Sequence, residues 1–265
     1  MTKYDVCFSM GATCGCSQAL REAGLQLASF PFDWIGGPGI CTKARLMADD
    51  FPGWFEPGTL TRLETPKFSK CDWYRDKFGF TPIHDFAANV PLEEELPRVR
   101  AKYRRRVDRL SRLIDGAKHV LVAYFETAGR ETASLEDVAE MRSILAGRWP
   151  GVVFDALVLK FSEGVPFSRR TDESGDGWRI VSYDYKDRNE EDWRVDWHQV
   201  GGWLRNEYEV ADYRTDAEKA QWKALARKKK YSEFKATNWW DFQVTKLQYK
   251  IYKHFRTRLD RKGVI

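Results

Sequence analysis

The sequence predicts an α/β fold: a small central sheet flanked by helices, with a basic helical appendage at the C-terminus. Three observations carry this reading. His119–Phe125 and Val152–Phe161 are nearly continuous apolar runs, the pattern of strands buried on both faces. Helical apolar periods alternate with them, in the order β-α and then β-α-β-α-β-β. From about Asp216 the composition shifts to Lys, Arg, Trp and Tyr. The expected organisation is therefore a domain over 1–215 and a basic, aromatic-rich helical segment over 216–265.

The elements follow in chain order. Tyr4–Met10 reads as a short buried strand broken by Gly11, and Ser17–Ala23 as a helix ending at Gly24. Cys14 and Cys16 fall at the turn and the first helical positions. Phe30–Trp34 and the Gly36-Gly37-Pro38-Gly39 stretch form loop, and Thr42–Asp50 forms a short helix. Phe78–Phe86 alternates and reads as extended. Leu96, Val99, Tyr103, Val107, Leu110, Leu113 and Ile114 keep three-to-four spacing, the clearest helix of the chain. Ser134 and Asp137 have the spacing of a capping box before another amphipathic helix. Trp178–Tyr185 reads as an edge strand after the Gly175-Asp176-Gly177 turn.

Composition excludes several classes. The chain has 265 residues, 43% hydrophobic and 31% charged, close to the globular average. No apolar run approaches the eighteen or so residues of a membrane span. Residues 1–5 lack the basic and apolar pattern of a signal peptide, and five cysteines make an odd set. Free thiols in a cytoplasmic protein, peripheral at most to the inner membrane face, are the expectation.

The chemistry centres on Ser9-Met10-Gly11-Ala12-Thr13-Cys14-Gly15-Cys16. A thiol at a helix N-terminus meets backbone N–H groups and the positive end of the macrodipole, which favour thiolate over thiol. The same N–H groups, with Gly11 and Gly15 permitting close approach, can hold an oxyanion. A nucleophile needs a base, and among the four histidines His84 is the best placed, at the end of an extended segment and before Asp85. Packing competes with chemistry here, because free cysteine is one of the most buried residue types.

Ser9-Met10-Gly11-x-x-Cys14, Leu20-Arg21, Ser29-Phe30-Pro31-Phe32-Asp33-Trp34, His84-Asp85-Phe86 and Arg104–Arg109 together resemble a bacterial family of unknown function described as papain-like cysteine peptidases. The resemblance spans roughly residues 4 to 200. It implies a papain-like arrangement with the cysteine on a helix, Cys14 as nucleophile and His84 as base. Asp85 and Asp33 are then candidates for orienting the imidazole or binding substrate. Thr13, Trp34 and Arg105 join Gly11 and Gly15 as candidate oxyanion and substrate-binding residues. The implied function is hydrolysis of a peptide, amide or thioester through an acyl-enzyme. The alternative is coenzyme A-dependent acyl transfer in capsule or surface-polysaccharide assembly, to which families with this arrangement are similar. Hydrolysis needs no cofactor, and no metal site is expected, since neither Cys-x2-Cys nor paired His spacing occurs.

A third reading is a non-catalytic binding module. From Lys219 to Lys262 there are 14 basic and three acidic residues, a net +11, which leaves the remainder of the chain at −6 and the whole at +5. Arg227-Lys228-Lys229-Lys230 is the densest run, with Trp222, Trp239, Trp240, Tyr249 and Tyr252 interleaved. Such a segment suits an anionic membrane surface or an acidic polysaccharide. No nucleic-acid motif accompanies it, so nucleic acid ranks below these. The expected partners are a small-molecule, peptide or glycan substrate and, through the tail, an anionic surface.

Overall fold

The computed structural model describes residues 2–65, 69–126, 132–185, 196–220 and 223–224. The chain divides into two units, Met1–Tyr213 and Arg214–Ile265. In chain order the first contains β1 (Thr2–Tyr4), β2 (Val6–Ser9), α1 (Cys14–Glu22), α2 (Ile40–Ala48), β3 (Thr61–Arg62), β4 (Cys71–Asp72), β5 (Tyr74–Arg75) and β6 (Phe86–Ala87). It continues with α3 (Leu92–Asp115), β7 (His119–Phe125), α4 (Leu135–Arg148), β8 (Val153–Phe161), β9 (Thr171–Gly175), β10 (Trp178–Tyr183), α5 (Trp197–Glu207) and β11 (Tyr208–Val210).

The central sheet is mixed and has five strands in the order β2-β7-β8-β10-β9. The first four are parallel, and β9 pairs antiparallel at the edge. Side chains alternate across the pleat and so build two cores. Phe8, Val120, Val122, Tyr124, Ala156 and Val158 face Ala44 and Met47 of α2, Val107 and Leu110 of α3, and Met141 and Leu145 of α4. Cys7, Leu121, Ala123, Phe125, Leu157 and Val181 face Cys16, Ala19 and Leu20 of α1 and Val200 and Leu204 of α5. Both faces are covered by helices, which is why β7 and β8 read as continuous apolar runs rather than alternating ones.

Among the described helices, α4 and α5 begin at side-chain caps. Ser134 Oγ accepts the Asp137 N–H at 3.1 Å while Asp137 accepts the Ser134 N–H at 2.8 Å, closing the capping box of α4. After α1 the chain turns at Gly24, whose φ of +76° is left-handed. In α3, Leu96, Val99, Tyr103, Val107, Leu110 and Ile114 are all buried, as their spacing predicts.

Three expectations are corrected. The Tyr4–Met10 strand is two elements, because β1 leaves the main sheet to pair in parallel with β11. The Trp178–Tyr183 strand is not an edge: β9 folds back against it through the Asp176-Gly177 turn and takes the edge position. The Phe78–Phe86 segment is mostly turn, with one bridge between Gly36 and Thr81. There Asp76 Oδ1 accepts the N–H groups of Phe78 at 3.0 Å and Phe80 at 2.7 Å, and Gly79 adopts φ +91°, so turn chemistry overrides apolar alternation.

In the second unit, Thr215 opens a helical stretch from residue 216. Its hydroxyl accepts the Glu218 N–H at 3.2 Å and the Glu218 carboxylate accepts the Thr215 N–H at 2.9 Å. The basic run and the tail aromatics lie outside the described residues. Among the described residues no helix is long and apolar enough to cross a membrane.

Candidate active site

The turn carrying Cys14 leaves the sheet at the carboxyl end of β2, the side of parallel α/β sheets where ligands bind. Beyond Ser9 the chain keeps pairing with β7: the Met10 N–H donates to the Ala123 carbonyl at 2.8 Å and the Ala12 N–H to the Phe125 carbonyl at 3.2 Å. Thr13 is the N-cap, extended at φ −143° and ψ 175°, and its side chain makes no capping bond to the helix. Cys14 is therefore the first residue of α1, half-buried, with Gly15 buried behind it.

Gly11 is required for a reason different from oxyanion access. A Cβ built there would lie 2.4 Å from Cys16 Cβ, so the absent side chain lets β2's exit turn pass against α1. The Gly11 N–H is committed to Ser9 Oγ at 3.1 Å. Cys16 itself is a core residue. Its thiol donates to the Ala123 carbonyl at 3.5 Å, and burial pushes its pKa up to about 12.

The other thiols are likewise held in the neutral form. Burial drives the Cys7 pKa far upward, raises Cys41 to about 11 with help from the Glu140 and Asp137 carboxylates, and raises Cys71. Cys41 donates to the Asp137 carbonyl at 3.3 Å. Among the described residues no group of three His, Cys, Asp or Glu side chains is arranged to hold a metal.

Asp33 is wholly buried and serves as the anchor of its loop. Its Oδ2 accepts the Arg21 guanidinium at 3.0 Å, the Gln26 amide at 2.7 Å and the Phe30 N–H at 2.8 Å. Burial raises its pKa against the pull of Arg21 and those N–H groups. Arg21 also lies 5.9 Å from the centre of the half-buried Trp34 ring. The Ser17 hydroxyl, one turn after Cys14, donates to the Asp33 carbonyl at 2.8 Å.

His84 sits on the turn before β6 with its side chain exposed. Asp85 beside it is buried, and its carboxylate is taken by α3: Tyr103 donates at 2.7 Å and Lys102 forms an ion pair. The partners of Asp33 and Asp85 are thus arginine, lysine, amide and phenol groups. What joins the two candidate segments is the Pro31–Trp34 loop. It meets α1 through Ser17 and, two residues on, Gly36 exchanges hydrogen bonds with Thr81 at 3.3 and 2.7 Å, three residues before His84.

On α3 the arginines divide. Arg105 is exposed, and Arg104 pairs with Asp108 at 2.8 Å. Arg109 instead donates to the Ser29 carbonyl at 2.9 Å, and Arg106 lies over Tyr103 at 5.4 Å and acts electrostatically on Asp33. Helical phase separates them relative to the buried stripe of Tyr103, Val107 and Leu110: Arg106 and Arg109 flank that stripe and are half-buried, whereas Arg105 lies on the far side and is exposed. Sequence reading also missed a His–Asp pair at the opposite end of the sheet, where His119 Nε2 is 2.8 Å from Asp155, which also accepts the Tyr4 hydroxyl at 2.9 Å. Lys43, wholly buried in α2, was missed as well.

Comparison with curated proteins and with solved structures finds no match. The family model described as "Putative papain-like cysteine peptidase" matches residues 5–164, a span that contains both Cys14 and His84. That match covers more than half of the chain, and the protein belongs to this family of papain-like cysteine peptidase-type proteins.

Proposed function

We propose that this protein is a cysteine hydrolase acting through Cys14 and His84. The observation that carries the reading is the placement of Cys14 as the first residue of α1, at the carboxyl edge of the sheet, while burial holds the other four thiols neutral. Thiolate at that position is favoured by the helix dipole and the first-turn N–H groups.

The Cys14 sulfur attacks the carbonyl carbon of an ester, thioester or amide while His84 takes the thiol proton. The tetrahedral oxyanion is held by N–H groups of the first turn of α1, and collapse expels the leaving group, which receives the proton from His84. Water then adds to the acyl-enzyme with His84 as base, releasing acid and regenerating the thiol. The loop contacts from Ser17 to Asp33 and from Gly36 to Thr81 support bringing the two segments together.

The test is iodoacetamide labelling at neutral pH combined with turnover of p-nitrophenyl esters. Selective labelling of Cys14, slowed by His84→Ala, and loss of turnover in Cys14→Ser are expected. Uniform labelling of Cys14, Cys41 and Cys71 rejects the reading. Preferential delivery of the acyl group to an added sugar alcohol rather than water assigns the acyltransferase alternative.

A further inference from the structure

Lys43 has no exposed surface. It lies in the first half of α2, where Ala44 and Met47 also face the core. Its ammonium donates to the carbonyl oxygens of Met10 and Gly11, each at 2.9 Å, and the rings of Phe32 and Tyr124 stand 5.9 and 5.8 Å away. Burying an ammonium is costly even when it is well paired, and leucine or methionine at this position carries no such cost. The lysine therefore supplies something an apolar side chain does not.

Its partners say what that is. Met10 and Gly11 are the two residues that follow β2, and three steps of chain, at most about 11 Å, separate Gly11 from Cys14. β7 takes the N–H groups of Met10 and Ala12, while Lys43 takes the carbonyls of Met10 and Gly11. The turn from which α1 springs is thus gripped from two elements at once. Its position is set by the sheet on one side and by a single cation on the other.

We propose that Lys43 is a positioning residue for Cys14: it fixes the Met10–Gly11 turn and places a positive charge inside the protein close enough to favour the thiolate. The inference rests on Cys14 being the nucleophile. Charge inside a protein is screened far less than charge at the surface, which is how a cation bonded to the Gly11 carbonyl would reach a thiol three residues on.

The same charge already acts on a neighbouring thiol, pulling Cys16 downward although burial dominates there. Other titratable groups lie on the elements packed around it. Tyr124 faces it from β7, and Asp33, beside Phe32, is paired with Arg21. On α2 itself Arg45 pairs with Glu140 of α4, and Cys41 bonds Asp137 of α4.

The experiment is the pH dependence of Cys14 alkylation in the full chain, read by mass spectrometry, for wild type, Lys43→Gln and Lys43→Met. Glutamine keeps an N–H donor for the carbonyls and deletes the charge; methionine deletes both. The expected result is an upward shift of the alkylation midpoint by about one pH unit in both variants, which is about tenfold slower labelling below the midpoint. A purely structural lysine leaves that midpoint where it is. An unchanged midpoint in a folded Lys43→Gln protein overturns the proposal, and so does loss of folded structure in both variants, which assigns Lys43 to folding alone. A wild type whose Cys14 labels no faster than Cys71 rejects the nucleophile reading itself, whereas selective wild-type labelling with no response at Lys43 rejects only this inference.

Discussion

The Ser17 hydroxyl lies 2.8 Å from the carbonyl oxygen of Asp33. It also reaches the carbonyl of Cys14 at 3.0 Å, so one fully buried side chain shares its proton between the first turn of α1 and the Phe30–Trp34 loop. Ser17→Ala leaves the Asp33 carbonyl without this donor. The expected loss is about 1–2 kcal/mol, seen as a lower urea midpoint with an unchanged slope. The loop would also loosen against the helix start, so selective labelling of Cys14 should fall with it.

Gly11→Ala forces a methyl to within 2.4 Å of Cys16 Cβ. Relief requires moving either the exit of β2 or the helix it abuts, at a cost of about 1–3 kcal/mol. Combining it with Cys16→Gly removes the clash. A double-mutant cycle by thermal unfolding should therefore give a favourable coupling, and strict additivity would show that the contact is not what requires glycine.

Asp33 distinguishes anchoring from catalysis. Asp33→Ala strips the acceptor from Arg21, Gln26 and the Phe30 N–H together, and a loss of about 3–5 kcal/mol is expected. Asp33→Asn keeps an oxygen where those donors converge and should lose much less while retaining Cys14 labelling. A stable Asn variant whose labelling collapses would give Asp33 a direct role in the chemistry.

Asp76 gives the fold a pH signature. Its carboxyl is raised from 3.8 to about 6 by burial, despite the backbone N–H groups it accepts. Between these values the folded state holds a proton that the unfolded state has released. The slope of stability with pH is therefore negative in that window, and about 2 kcal/mol is lost as pH rises from 4 to 6, with the remainder going as pH passes above 6. Asp76→Asn cannot ionise and should show none of this fall. Guanidinium melts of both proteins at pH 4, 5, 6 and 7 measure it, and parallel profiles would reject the assignment.

Local chemistry made some elements legible in advance. The apolar runs of β7 and β8, the three-to-four spacing of α3 and the Ser134–Asp137 box were readable because each is decided within a few residues. Cys14 at a helix start belongs with them, since a strand, a glycine and a helix former in succession fix that geometry locally. The turn at Asp76–Gly79 was misread because alternation of Phe78 and Phe80 imitates a strand. The two carboxylate-accepted N–H bonds that close it are invisible in apolar patterning.

What the sequence by itself determined about this protein is the α/β class, the strand–turn–helix that presents Cys14, and the chemical inventory of one cysteine-bearing turn and a histidine at position 84. Only the tertiary structure decided which side chains serve that turn. Asp33 and Asp85 went to Arg21, Gln26, Lys102 and Tyr103, Arg106 and Arg109 rather than Arg105 turned toward the loop, and Lys43 came from another helix to hold Met10 and Gly11. The physical reason is range. Backbone preference and amphipathic period act over a few neighbouring residues, whereas a buried charge must find its partner wherever folding brings one, here 33 positions away in sequence.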